Sequence, residues 1–171
     1  LLRNPIAESE TIRHESERAA RRSRRLTPDT FTVDGRLDHA GEERRVLAVA
    51  NPAMQRLIIG ALETGMRRGE LLSLRWADVD LSRHELKVRA ETSKSRKMRI
   101  LPISARLAGI LEMARTDPAG RAFGPLDYVF GDAVGRKVKN TKKTWATCVL
   151  KAHGHAPEWE AGGKLSAASR A

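Results

Sequence analysis

Two arginines and a glutamate stand close together at Arg67, Arg68 and Glu70, directly after Gly65. Gly65 is placed to end one helix and Arg67 to open the next, so Glu70, three residues on, shares the face of Arg67. An arginine so held can present a planar fork to a phosphate while the neighbouring carboxylate steadies its guanidinium. Taken alone, the same pattern also describes a surface Arg–Glu pair between packed helices. Further cations gather at Lys94, Arg96 and Lys97, and again at Lys139, Lys142 and Lys143, the last three spaced to share one outer helical face. Tyr128 is the only tyrosine. It lies in the apolar run Tyr128-Val129-Phe130, which reads as a packed strand rather than a nucleophile. Cys148, His153 and His155 lack a paired C-x-x-C or H-x-x-x-H unit, so they read as a free thiol and exposed imidazoles, with no metal site.

The elements that must position these groups follow from the periodicity. A first helical segment covers residues 42–50. Asn51-Pro52 is a strong helix start, with Asn as cap and Pro at the first helical position. Met54, Leu57, Ile58, Ala61 and Leu62 then form one inward stripe. A short helix is expected over residues 67–74. The period next changes to two: residues 85–89 and the neighbourhood of Arg99-Ile100 read as half-buried strands, with residues 91–97 as a polar hairpin tip. Pro102 sits at a strand end, where a missing N–H is tolerated. Ser104 caps another helix carrying Leu107, Ile110, Leu111 and Ala114, stopped by Asp117-Pro118. A basic helix is expected from about Val138, with Val138, Trp145, Cys148, Val149 and Ala152 inward. The fold class predicted is mainly α with a small antiparallel β-sheet, an α+β arrangement rather than alternating βαβ.

Charge narrows the partner. Lys and Arg total 32 against 21 acids, a net charge of +11 with a pI near 10.6, which points to a polyanion. No long apolar run or export signal is visible, so no membrane role is expected, and one cysteine fits a reducing, cytoplasmic setting. Residues 13–25 are too polar to bury much surface and read as a linker that also touches phosphate.

The stretch Thr64-Gly65-Met66-Arg67-Arg68-Gly69-Glu70-Leu71-Leu72-Ser73-Leu74-Arg75-Trp76-Ala77-Asp78-Val79-Asp80 closely resembles the first arginine box of tyrosine recombinases, the phage integrases. Its usual form is Thr-Gly-hydrophobic-Arg-x-Gly/Ser-Glu-Leu-x-x-Leu-x-Trp-x-Asp-Ile/Val-Asp. A second stretch, residues 92–103, is similar to the family's β-hairpin, where a turn lysine precedes a basic strand ending apolar-Pro-apolar.

The resemblance implies that Arg67 binds the scissile phosphate, that Glu70 supports the active site, and that Lys94 is the catalytic lysine, counted back from Pro102. A gap in the turn would shift that role to Arg96 or Lys97. A lysine there can protonate the departing 5′ oxygen. Arg68, Arg96, Lys97, Lys139, Lys142 and Lys143 are the expected DNA contacts. The fold implied is the catalytic domain of DNA breaking-rejoining enzymes, over residues 26–171 and truncated at its C-terminus. Residues 1–25 would be the linker from a missing N-terminal clamping domain. The second box, His-x-Leu-Arg-His, and the nucleophilic tyrosine are not in the sequence, so a fragment inactive by itself is expected. The partners implied are double-stranded DNA and further copies, a tetramer on DNA. No cofactor is implied, because a 3′-phosphotyrosine conserves the bond energy. The alternatives are a non-enzymatic DNA-binding module and, less well matched, a type IB topoisomerase.

Overall fold

The computed structural model describes residues 29–32, 35–93 and 96–159. The chain divides into two compact units, one ending at Arg45 and one beginning at Val46. The linker expected over residues 1–25, and the domain start expected at residue 26, lie outside the described residues.

In the first unit, β1 (Thr30–Phe31) and β2 (Leu37–His39) form an antiparallel hairpin that periodicity does not announce. Gly35, with φ at 75°, supplies the left-handed turn, and its N–H donates to the Thr32 carbonyl at 2.9 Å. Asp29 accepts from the Gly41 N–H and from Arg44 Nε, which holds its carboxyl below the ordinary value.

Helix α1 (Glu42–Val49) runs into the second unit, where α2 (Pro52–Thr64) follows. The Asn51 side chain accepts the Met54 N–H at 2.9 Å, and Gly65, with φ at 60°, closes the helix by donating to the Ala61 carbonyl. Met54 and Ile58 are buried as expected, but Leu62 is 44% exposed. Phe130 covers the helix at Gly60, where its ring fills the space in which a side chain would begin. Met54 and Ile58 are covered by Val46, Ala50 and Cys148; Leu62, one turn beyond Ile58 on the same face, is not part of that cluster.

Helix α3 is only one turn, Arg68–Leu71, rather than the span to residue 74. Ser73 and Leu74 bond back three residues, to Glu70 and Leu71, which tightens the end of the helix. A 3₁₀ turn, Trp76–Asp78, leads into β3 (Val79–Asp80). With β4 (Glu85–Val88) and β5 (Arg99–Pro102) it makes a three-stranded antiparallel sheet in that order. Lys87 pairs with Ile100 and Val88 with Arg99. The period-two reading of β4 holds, with Leu86 and Val88 buried; β5 also alternates, but Ile100 is exposed and Arg99 lies on the inner side with Leu101, the reverse of the apolar-inward faces expected there. The third strand is too short to show a period.

Ser104 caps α4 (Ala105–Met113) by accepting the Leu107 N–H, and Leu107 and Leu111 are fully buried. They pack with Leu86, Val88, Val129 and Phe130 in the main core. Tyr128-Val129-Phe130 is a turn and not a strand. Only Tyr128 bridges to Arg75, while Val129 donates to the Leu74 carbonyl. The last described helix is α5, Lys142–Ala152. It starts later than expected because the Asn140 side chain accepts the Lys142 N–H at 2.9 Å and turns the chain there. Lys139 therefore precedes the helix, and the three lysines do not share one helical face. Cys148 is buried against Met54 and Ile58, whereas Trp145, expected inward, is 42% exposed.

Candidate active site

The site is built where α2 stops. Gly65 turns the chain, buried Met66 pins it, and Arg67 takes an extended conformation (φ −68°, ψ 147°) as the N-cap of α3. Glu70 reaches back so that its Oε2 accepts the Arg67 backbone N–H at 2.9 Å, half of a capping box. Leu71 and Leu74 are buried on either side, which fixes the turn against the core. The outcome is asymmetric: the Glu70 side chain is 1% exposed and that of Arg67 is 63% exposed.

A buried carboxylate needs partners, and Glu70 has them. From β5, Arg99 donates through Nη2 to Oε2 at 2.7 Å and through Nη1 to Oε1 at 3.2 Å, a bidentate fork. Arg67 Nη1 stands 3.5 Å from Oε1. The Arg99 hydrogen bonds are the main cause holding the Glu70 carboxyl below its ordinary value, while burial opposes them. The same pairing raises Arg99. The expected Arg67–Glu70 contact is thus present, but the closer partner of Glu70 is Arg99, which the sequence reading did not single out. A signal existed. Alternation along β5 sets Arg99 on the face of Leu101, which packs on the core, and an arginine on an inward face requires a carboxylate.

The remainder of the motif is a brace. Asp78, nearly buried, accepts the Arg75 N–H at 3.1 Å and Arg89 Nε at 2.7 Å, tying the 3₁₀ turn to the end of β4. Trp76 stacks on Phe123, with centroids 6.3 Å apart, and carries the Arg115 guanidinium 4.9 Å over its ring. Its backbone N–H donates to the Asp127 carbonyl. These contacts tie the 3₁₀ turn that follows α3 to the end of β4 and to the segment around Asp127.

Lys94 lies outside the described residues. Arg96 and Lys97 are exposed beyond it, and Arg96 has φ at 52°. Arg68, Lys139, Lys142 and Lys143 are also exposed, and Lys143 Nζ stands 4.9 Å over the Trp159 ring. The half-buried Tyr128 ring has the Arg75 guanidinium 5.4 Å and the Lys137 ammonium 5.7 Å from its centroid. Burial pushes the Cys148 thiol up, the direction of an unreactive cysteine. Among the described residues no three His, Cys, Asp or Glu side chains gather as a metal site, and no helix is long and apolar enough to cross a membrane.

Comparison with known proteins finds relatives of this chain. Over 63 residues the chain is 43% identical to the Shufflon-specific DNA recombinase of Escherichia coli, an alignment covering 37% of this chain and 16% of that protein. Among solved structures it is similar to XerA recombinase, at 19% identity and a TM-score of 0.37, covering 85% of this chain and 64% of that one. The chain therefore spans less than two thirds of the length of either. Residues 38–158 match the model of the Phage integrase family, a span that contains the Arg67 turn, the Asp78 brace and the sheet. By that match the chain belongs to the phage integrase family.

Proposed function

We propose that these residues form part of the catalytic domain of a site-specific DNA recombinase, and that Arg67 is its scissile-phosphate ligand. The observation that carries the reading is the exposed Arg67 fork standing on a buried, fully engaged Glu70. A guanidinium so placed is preorganised for a phosphate, since neither its backbone nor its supporting carboxylate must reorganise when charge develops.

In the proposed reaction a tyrosine hydroxyl from outside these residues attacks the phosphorus of a DNA phosphodiester. The P–O5′ bond breaks, a 3′-phosphotyrosine forms, and the 5′ oxygen leaves as a hydroxyl after taking a proton. Arg67 stabilises charge on the nonbridging oxygens of the pentacoordinate transition state. Lys94 supplies the proton to the 5′ oxygen. Glu70 supports Arg67, and Arg68, Arg96, Lys97, Lys139, Lys142 and Lys143 contact phosphates. Double-stranded DNA is the substrate, and recombination between two sites needs further copies of the protein. The net charge of +11 supports the DNA-binding part of this reading and serves equally a module that binds without cutting.

Cleavage separates the two. In the intact recombinase carrying these residues, Arg67→Ala should lower the rate of covalent DNA–protein complex formation by about a hundred- to thousandfold, while retaining duplex binding. Lys94→Ala should be rescued by a 5′-bridging phosphorothiolate substrate, whose sulfur leaves without the proton, and Arg67→Ala should not. Unchanged cleavage in both variants would refute the assignment. Rescue confined to Arg96→Ala or Lys97→Ala would move the lysine role along the hairpin.

A further inference from the structure

Around Glu70 there are two guanidinium groups and one carboxylate, and the distances divide them unequally. Arg99 holds both oxygens, at 2.7 and 3.2 Å, whereas the Arg67 guanidinium reaches only one of them, at 3.5 Å. Arg67 is tied to Glu70 mainly through its backbone N–H, at 2.9 Å. The Arg99 side chain is 34% exposed and that of Arg67 63% exposed, so the more engaged cation is also the less available one.

We infer that Arg99 is a positioning residue that leaves Arg67 free for phosphate by occupying Glu70 in its place. The inference rests on the reading of Arg67 as a phosphate ligand. A buried carboxylate that loses its cation is strongly disfavoured and draws in the nearest one. With Arg99 absent, the nearest one is Arg67, which has only to close from 3.5 Å to a bidentate fork. That closure would turn the Arg67 donors inward. It would also neutralise the site, because the single surplus positive charge depends on there being two arginines for one carboxylate. Arg99 touches no substrate in this scheme; it acts through Glu70.

The logic yields a rescue that no general structural role would produce. In the native 171-residue chain labelled with ¹⁵N, inorganic tungstate, a tetrahedral dianion, is titrated while the arginine Nε–Hε resonances are followed. The Arg67 resonance is identified by its loss in Arg67→Lys. In the native chain it should shift and saturate. In Arg99→Met it should respond about tenfold or more weakly, the equivalent of one charge-assisted hydrogen bond lost. In Arg99→Met with Glu70→Gln there is no buried charge to capture Arg67, and the response should return to within about threefold of native. Arg99→Lys keeps the charge but makes one contact instead of two, so it should give a smaller loss, and this variant serves if Arg99→Met fails to fold.

Native-like tungstate binding in Arg99→Met or Arg99→Lys would overturn the inference. So would a weak response in Arg99→Met that Glu70→Gln leaves weak, since Arg99 would then be a direct anion contact or a purely structural one. A native chain whose Arg67 ignores tungstate would sink the phosphate-ligand reading, and this inference with it.

Discussion

Replacing Glu70 by Gln keeps the shape of the side chain and removes its charge, and the geometry dictates a large response for so small a change. The native carboxylate accepts two guanidinium bonds from Arg99 and one backbone N–H from Arg67, at 1% side-chain exposure. Gln has one acceptor oxygen, and its amide N–H₂ must point at donors of Arg99 or Arg67. Hydrogen bonds to charged groups contribute about 1.5–3 kcal/mol each. Because Arg99 is a third exposed and can rehydrate, the two lost bonds should not count in full. A net destabilisation of about 2–3 kcal/mol follows, or about 6–12 °C in melting temperature for a unit of this size. The pH dependence carries a sign. Glu70 is held below its ordinary pKa, chiefly by the Arg99 hydrogen bonds, so its stabilisation is complete above the unfolded value and is lost as pH falls through the lowered folded value. The gap between native and Glu70→Gln should therefore be widest near neutrality and narrow on acidification. Thermal melts followed by circular dichroism from pH 7 downward measure it. A gap below about 0.5 kcal/mol at pH 7, or one that does not change with pH, would refute the reasoning.

Gly60→Ala should destabilise the chain despite alanine's better helix propensity, because the new Cβ would stand 2.5 Å from Phe130 Cζ in a buried contact; an overpacking cost of about 1–3 kcal/mol outweighs a gain of up to about 1. Phe130→Leu in the same chain should recover part of the loss, and denaturant melts check both. Asp78→Ala removes the Arg75 cap and orphans Arg89, and should lose about 2 kcal/mol in the same assay. Duplex DNA should bind weakly and without strong sequence preference, with log affinity falling against log salt at about −0.9 per phosphate neutralised, and Lys142→Ala with Lys143→Ala should flatten that slope. Salt-independent binding in fluorescence anisotropy would count against the DNA contacts.

Local signals in the sequence identified most of the helices, the β4 and β5 strands and the Arg67 turn, because each depends on nearby residues. Asn51, Pro52 and Gly65 define α2 by their own backbone preferences and caps, and period two marks β4 and β5. The placement of Arg67 beside Glu70 is likewise local, since a capping box spans one turn. What failed locally was also instructive. Asn140 competes for the helix start that hydrophobic spacing would put at Val138, and Leu62 has the right period but is left 44% exposed among the described residues.

The partner of Glu70 belongs to a different level. Arg99 is 29 residues away in the chain. Alternation puts it on the same face as Leu101, but only the docking of β5 beside the start of α3 decides that this face is inward and which carboxylate it meets. The same holds for Arg89 with Asp78, and for Phe130 over Gly60. The sequence by itself determined that an arginine would stand on an N-capped turn with an acid beneath it, because backbone geometry and short-range hydrogen bonds are encoded by neighbours. Only the tertiary structure decided that Arg99 would take up that acid and leave the Arg67 guanidinium largely unpaired, because a buried charge is matched by whichever cation packing brings within reach.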